Sequence, residues 1–158
     1  MAKKLLIAGS ALALICSCNS MENPLLTESS APFGAPEFDK IKNEHYLPAF
    51  EAGIAEAKAE IDAIVANKEE PTFENTIEAM EVSGQTLNNV AGIFFNLMEA
   101  DTDDEMQQIA ESVSPMLTEY SMYVSLNNDL FQRVKAVYEK KDELGLAPDQ
   151  MKLLEDNY

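Results

Sequence analysis

The sequence predicts an all-α protein built as an antiparallel helical bundle. Apolar residues recur at steps of three and four from Tyr46 almost to the end of the chain, the period of amphipathic helices. No run alternates with a period of two, so no sheet is expected. The stretches between periodic segments are short, which favours antiparallel neighbours.

The first helix carries Tyr46, Phe50, Ile54, Ala57, Ile61 and Val65 on one face. Pro48 is expected in its first turn, where a missing N–H costs nothing. Asn67 to Pro71 ends it. Thr72 is the expected N-cap of the second helix. Its stripe runs through Phe73, Ile77, Met80, Gly84, Leu87, Ala91, Phe94 and Met98 as one continuous heptad-like seam. A second apolar set, Val90, Ile93, Phe95 and Leu97, joins it beyond Leu87. A helix apolar on more than one side is a central one, and Gly84 in the seam is expected to admit a close neighbour.

The third helix follows Thr102-Asp103-Asp104-Glu105, read as a capping box with Thr102 at N-cap and Glu105 at N3. The acids also favour the helix dipole. Its seam is Met106, Ile109, Val113, Met116, Leu117, Tyr120 and Val124, and Pro115 is expected to kink it. The fourth spans about Asp129 to Leu144, with Leu130, Phe131, Val134, Val137 and Tyr138 inward and Gly145 as its C′ stop. Pro148 opens a fifth, with Met151, Leu153 and Leu154 apolar. No closing signal precedes Tyr158, so that last helix reads as truncated.

The N-terminal residues follow different rules. Lys3 and Lys4 precede an apolar run from Leu5 to Ile15, too short to span a bilayer. Small residues and a cysteine follow, the layout of a secretory signal. Ser17 at −1 and Ile15 at −3 resemble a bacterial lipoprotein signal, with Cys18 lipidated and made the new N-terminus. Cys16 fits worse, because Ile15 would occupy −1. The bland alternative is an ordinary cleaved signal with an incidental cysteine pair. The expected organisation is a lipoprotein signal peptide at 1–17, a tether at 18–36 and an N-terminal helical domain at 37–158. The tether is rich in Ser, Asn and Pro and has no helical period. Pro24, Pro32 and Pro36 favour extended backbone, and Leu25, Leu26, Phe33 and Phe38 are candidates to pin it to the domain. The protein is thus expected to be exported, anchored by lipid, and to face the periplasm or cell surface of a bacterium.

Charge narrows the partners. Against 11 Lys and Arg stand 28 Asp and Glu, a net charge of −17. No basic patch exists for nucleic acid, and electrostatic attachment to anionic lipid is disfavoured. Cleavage before Cys18 removes two lysines and no acid, deepening the imbalance. A lipid is then the sensible way to hold the chain at a membrane, with more than one acyl chain needed for stable anchoring. Cationic or neutral peptides are compatible partners. After cleavage one cysteine remains, so neither a disulfide framework nor a cysteine metal site is available. Nothing in the sequence sets the oligomeric state.

The search for chemistry returns little. A catalytic zinc commonly takes three protein ligands from His and carboxylate. His45, the single histidine, sits beside Glu44 with no second histidine four residues away, so no His-Glu-x-x-His site exists here. His45 is expected to cap or pack at the start of the first helix. Asp101, Asp103, Asp104 and Glu105 are explained by capping and lack the glycine and distal glutamate of a calcium loop. No nucleophile elbow or phosphate loop is present. No catalytic, cofactor-binding or metal residue is assigned, and lipidation of Cys18 is the one site expected.

Ordered matches, however, run through the chain. Asn23-Pro24-Leu25-Leu26, Pro32-Phe33, Phe38-Asp39-Lys40-Ile41 and His45-Tyr46-Leu47-Pro48-Ala49-Phe50-Glu51-Ala52-Gly53-Ile54 resemble the start of bacterial peptidyl-dipeptidases. So do Ala59-Glu60-Ile61, Ala63-Ile64, Asn67, Phe73-Glu74-Asn75-Thr76-Ile77 and Glu81-Val82-Ser83-Gly84. Leu126 to Leu146, with Leu130-Phe131 and Leu144-Gly145-Leu146, is similar to the same family's next helices. These are zinc metallopeptidases of the thimet-oligopeptidase family, and the dipeptidyl carboxypeptidase branch is the nearer one. The resemblance implies the N-terminal part of a larger, mostly helical peptidase whose halves flank a channel for short peptides. In that family a His-Glu-x-x-His helix and a downstream glutamate bind zinc, and the motif's glutamate activates the metal-bound water. The dipeptidyl carboxypeptidases release C-terminal dipeptides. The zinc motif is absent from these 158 residues, so no ligand or base carries over, and the segment corresponds to helices walling the channel. A rival reading keeps the bundle without the enzyme: a lipid-anchored acidic module that binds a peptide or protein partner.

Overall fold

The computed structural model describes residues 23–158. The signal, Cys16, Cys18 and the first part of the tether lie outside the described residues. Among those described, the regular structure is helical and no strand forms, as the period-of-three-and-four pattern predicts.

Helix α1 spans Asn43–Ala66. It begins three residues before Tyr46, so Pro48 falls in its second turn instead of its first. His45 sets that start. Its Nδ1 accepts the Lys42 N–H at 3.0 Å, and its own N–H returns to the Lys42 carbonyl at 2.9 Å. The imidazole does what a capping side chain does, satisfying a backbone donor the helix cannot reach. Pro48 then removes only the donor that would have met the Glu44 carbonyl.

The second helix is not continuous. A π-helical turn over Phe73–Glu78 leads into the short α2, Ala79–Glu81, and α3 begins separately at Gln85–Ala100. Gly84 causes the break. It stands at φ +70° as the N-cap of α3, a left-handed geometry that glycine adopts without penalty. The stripe is therefore divided between two cores. Phe73 and Ile77 pack with Val134, Val137 and Leu154. Leu87, Val90 and Phe94 pack with Tyr46, Phe50, Met106 and Val113.

The central helix is α1 instead of α3. It packs against α2, α3, α4 (Asp104–Ser125) and α5 (Asn128–Tyr138). Its buried residues include Tyr46, Ala49, Phe50, Gly53, Ile54, Ala57, Ile61 and Ile64. Along α1 and α3 the contacts run in opposite order: Tyr46 meets Phe94, Gly53 meets Leu87, and Glu60 meets Gly84. Along α1 and α4 they run in the same order, from Asn43 with Asp103, through Lys58 with Glu119, to Asp62 with Tyr123. Phe94 is fully buried at the centre, edge-on to Tyr46 at 4.8 Å, Phe50 at 5.5 Å and Phe95 at 5.2 Å. Such pairs add about 0.5–1.5 kcal/mol each beyond area burial.

The close-approach glycine is Gly53, not Gly84. A Cβ on Gly53 would lie 3.0 Å from the Leu87 Cα and 3.1 Å from its nitrogen, whereas one on Gly84 would sit at ordinary contact distance. Gly53 is thus where the backbones of α1 and α3 meet.

Further differences concern caps and ends. Asp103, not Thr102, is the N-cap of α4, its Oδ1 accepting the Met106 N–H at 2.7 Å. Helix α4 continues across Pro115. Helix α5 ends at Tyr138, capped at its start by Asn127. Turns cover the stretch to Gly145, which is left-handed at φ +61° but lies well beyond the helix. Phe131 faces outward and stacks on Tyr158 at 5.8 Å. Helix α6 spans Pro148–Asn157 and buries Leu154. Of the four apolar tether candidates only Leu25 is buried in the core, while Leu26, Phe33 and Phe38 are exposed.

Candidate functional site

The break before α3 creates a cleft. It holds about 430 Å³ between the α2 turn, α1, the second half of α4 and the end of α6. Ile61 and Leu87 form its apolar base, and Tyr120 and Val124 come from α4. Gly84 has no side chain to cap α3, so α1 supplies one: Glu60 Oε2 accepts the Gly84 N–H at 2.6 Å. Burial first, and then the Glu60 carboxylate, raise the Tyr120 phenol above its ordinary value. Both act against the phenolate, so Tyr120 is a neutral hydroxyl at physiological pH. Beside it, Lys58 Nζ pairs with Glu119 at 3.0 Å and lies 5.2 Å from the centre of the Tyr123 ring. Tyr123 donates to Asp62, and that hydrogen bond raises the phenol's value.

The opening at Pro71–Ile77 is fixed by a polar network that runs from the exposed Thr72 to the buried Thr76 and Arg133. Thr72 Oγ1 accepts the Asn75 N–H at 3.1 Å, and Asn75 Oδ1 accepts the Thr72 N–H at 2.9 Å. The same oxygen takes the Thr76 hydroxyl at 2.9 Å and Arg133 Nη2 at 3.0 Å. Arg133 Nη1 donates to the Asn67 carbonyl at 2.9 Å. Arg133 is only 8% exposed, and its Nε has no partner among the described residues. It is the chain's one arginine, and it pins the loop between α1 and α2 onto α5. Outside this network, Lys140 pairs with Glu70 and lowers that carboxyl below its ordinary value.

Chemically, the cleft offers hydroxyl and amide groups over an apolar base, a surface suited to packing or binding. Its groups do not form a nucleophile with an adjacent base. Nor do the described residues fit a zinc ion. No group of three His, Cys, Asp or Glu among them could hold one, and the Nδ1 of His45 is committed to the Lys42 N–H. The Asp103 carboxylate, besides capping α4, accepts from Asn43 Nδ2 at 3.0 Å, and Glu105 accepts from the same nitrogen at 3.1 Å. Cys18 lies outside the described residues.

Sequence reasoning missed Glu60, Tyr123 and Arg133. A signal did exist for Arg133: it falls within the apolar set Leu130, Val134 and Val137 at helical spacing, where a charge needs a buried partner. Nothing local marks Glu60, whose partner is 24 residues away.

Comparison with known proteins gives a consistent answer. The chain is 44% identical over 133 residues to a dipeptidyl carboxypeptidase of Escherichia coli (strain K12), covering 84% of this chain and 20% of that protein. It is 42% identical over 133 residues to the dipeptidyl carboxypeptidase of Salmonella typhimurium (strain LT2), with the same coverage. It is 29% identical over 111 residues to oligopeptidase A of the same organism, covering 70% of this chain and 16% of that protein. The chain spans about a fifth of the length of these two dipeptidyl carboxypeptidases. No protein-family model matches it.

Proposed function

The chain is a segment of the dipeptidyl carboxypeptidase and oligopeptidase family of peptidases, and we propose that it forms an N-terminal, channel-walling part of a zinc metallopeptidase that hydrolyses short peptides and releases C-terminal dipeptides. The observation that carries this reading is the 44% identity to a dipeptidyl carboxypeptidase, sustained over 133 residues. The lower 29% identity to oligopeptidase A favours the dipeptidyl carboxypeptidase branch.

In this reading residues 1–158 supply scaffold and no chemistry. Their one histidine is a helix cap, and the zinc ligands and general base belong to the remaining length that the relatives have. The segment alone is inactive. Its peptide partners meet an acidic, helical surface. Residues 1–17 act as a lipoprotein signal and 18–36 as the tether, Cys18 carries the lipid, and the enzyme works outside the cytoplasm at a membrane.

The test follows the reading frame beyond the codon for Tyr158. A His-Glu-x-x-His segment is expected there. The full product should release dipeptides from an N-terminally blocked peptide and lose that activity to a chelator, while residues 18–158 alone release none. An intact gene that stops after Tyr158 with no such motif overturns the proposal.

A further inference from the structure

Helix α6 carries none of the signals that close a helix. Its last turn holds Glu155 and Asp156 and no basic residue, although the C-terminal end of a helix dipole disfavours carboxylates. Neither glycine nor proline stands there. The Tyr158 N–H still meets the Leu154 carbonyl at 3.1 Å, so the helical bonding pattern holds through Tyr158. The neighbours of α6 fix where it points. Lys141 pairs with Glu155 at 3.7 Å, Tyr138 stacks on Tyr158 at 3.9 Å, and Tyr158 also reaches Phe131 at 5.8 Å. As α6 advances, its partners on α5 recede. The two helices therefore run in opposite directions, and α6 points toward the start of α5. On another side, Asn157 lines the cleft together with Ser121, Val124 and Ser125 of α4.

The surface ahead of α6 is bare. Phe131 is 41% exposed, and Ser121 and Ser125 are open to solvent. Ile61, Leu87 and Val124 give the cleft behind them an apolar lining. At about 1.5 Å per residue, two further turns of helix cover roughly 11 Å, which carries them along Phe131 and the α4 wall of the cleft. Any separate peptide or second copy must compete for that space with a segment joined to Tyr158. A tethered segment has an effective concentration on the order of millimolar.

We propose that α6 runs on past Tyr158 and that its next two turns dock between α4 and α5, closing the cleft at Ser121, Val124 and Ser125 and covering Phe131. The occupant is the polypeptide directly after Tyr158, so the proposal rests on the reading of this chain as a segment of a longer peptidase. Side chains one turn beyond Asn157 and Tyr158 share their face of the helix, and there they are apolar. The cleft is then core of the full protein and not a subsite for peptide.

The test uses the full product, freed of other reactive thiols, with Ser125→Cys, Phe131→Cys and Glu111→Cys made singly. Glu111 is exposed on α4 away from the cleft lining. Maleimide should label the first two roughly tenfold or more slowly than the third, since a docked helix must open locally to admit it. Equal rates overturn the docking. A second measurement identifies the cover: a cysteine one turn beyond Tyr158 should join Phe131→Cys through a short bis-maleimide. Slow labelling without that cross-link assigns the cover to another part of the polypeptide and also overturns the proposal. A reading frame that continues but sets glycine or proline in the first turn beyond Tyr158 ends the helix and sinks the docking alone. A frame that stops after Tyr158 sinks the segment reading and the docking with it.

Discussion

Two glycines show how differently one residue type can act. In α1, Gly53 lies where a Cβ would press on the Leu87 backbone at 3.0 Å. In α3, Gly92 has nothing within 4 Å of the same position. Replacing a helical glycine by alanine gains about 0.8–1.0 kcal/mol of helix propensity. At Gly92 that gain stands alone, so Gly92→Ala should raise stability by up to about 1 kcal/mol. At Gly53 it is opposed by overpacking of about 1–3 kcal/mol, because backbone cannot swing aside as a side chain can. Gly53→Ala should therefore lower the urea midpoint while Gly92→Ala raises it. Equal shifts of the same sign would show that α1 and α3 do not meet as described. Arg133 makes a parallel point. Its guanidinium spans Asn67 and Asn75 at once, a planar fork that a lysine ammonium does not reproduce.

At the level of elements, helix starts depend on borrowed groups. His45 caps α1, Glu60 closes the turn into α3, and Asp103 caps α4 while holding Asn43 of α1. The Met106 N–H, and after it the Asn43 amide, lower the Asp103 carboxyl below its ordinary value of 3.8. A carboxylate with a depressed folded value stabilises the fold above its unfolded pKa, and that contribution is lost as pH falls through the folded value. Glu70 and Glu74 shift the same way, through Lys140 for the first and backbone N–H for the second. Stability should thus decline below about pH 4. Asp103→Ala should be less stable than wild type at pH 7, with the gap closing toward pH 2–3. Urea midpoints across that range measure it, and a gap independent of pH would contradict the capping role.

At the scale of the whole molecule, the described residues form three apolar clusters joined by α1 and α5, beneath a strongly acidic surface. The largest centres on Phe50 and Phe94, a second on Ile77 and Leu154, a third on Ile61 and Leu130. Considerable apolar surface stays uncovered among the described residues: Leu126 is 74% exposed, and Val82, Met122 and Phe131 are also open to solvent. If these faces pack against the rest of a longer peptidase, residues 18–158 alone should bind a hydrophobic dye or self-associate. The same dye should gain little signal from the full product. A segment that stays monomeric, binds no dye and unfolds cooperatively would instead favour a free-standing binding module.

The sequence alone determined the helical class, the location of most helices and their inward faces, because each rests on periodicity and composition within a single stretch of chain. It also carried the resemblance to the peptidase family, through ordered matches from Asn23 onward. Only the tertiary structure decided that Gly84 divides the Phe73–Met98 stripe into two cores, that α1 is the central helix, and that Gly53 is the point of closest approach. The physical reason is range. A heptad pattern reports which side of a helix is apolar but not what lies across from it. Glu60 reaching Gly84, Arg133 reaching Asn67 and Asn43 reaching Asp103 each join residues 24 to 66 positions apart, and those long-range bonds place the helix starts and the cleft between them.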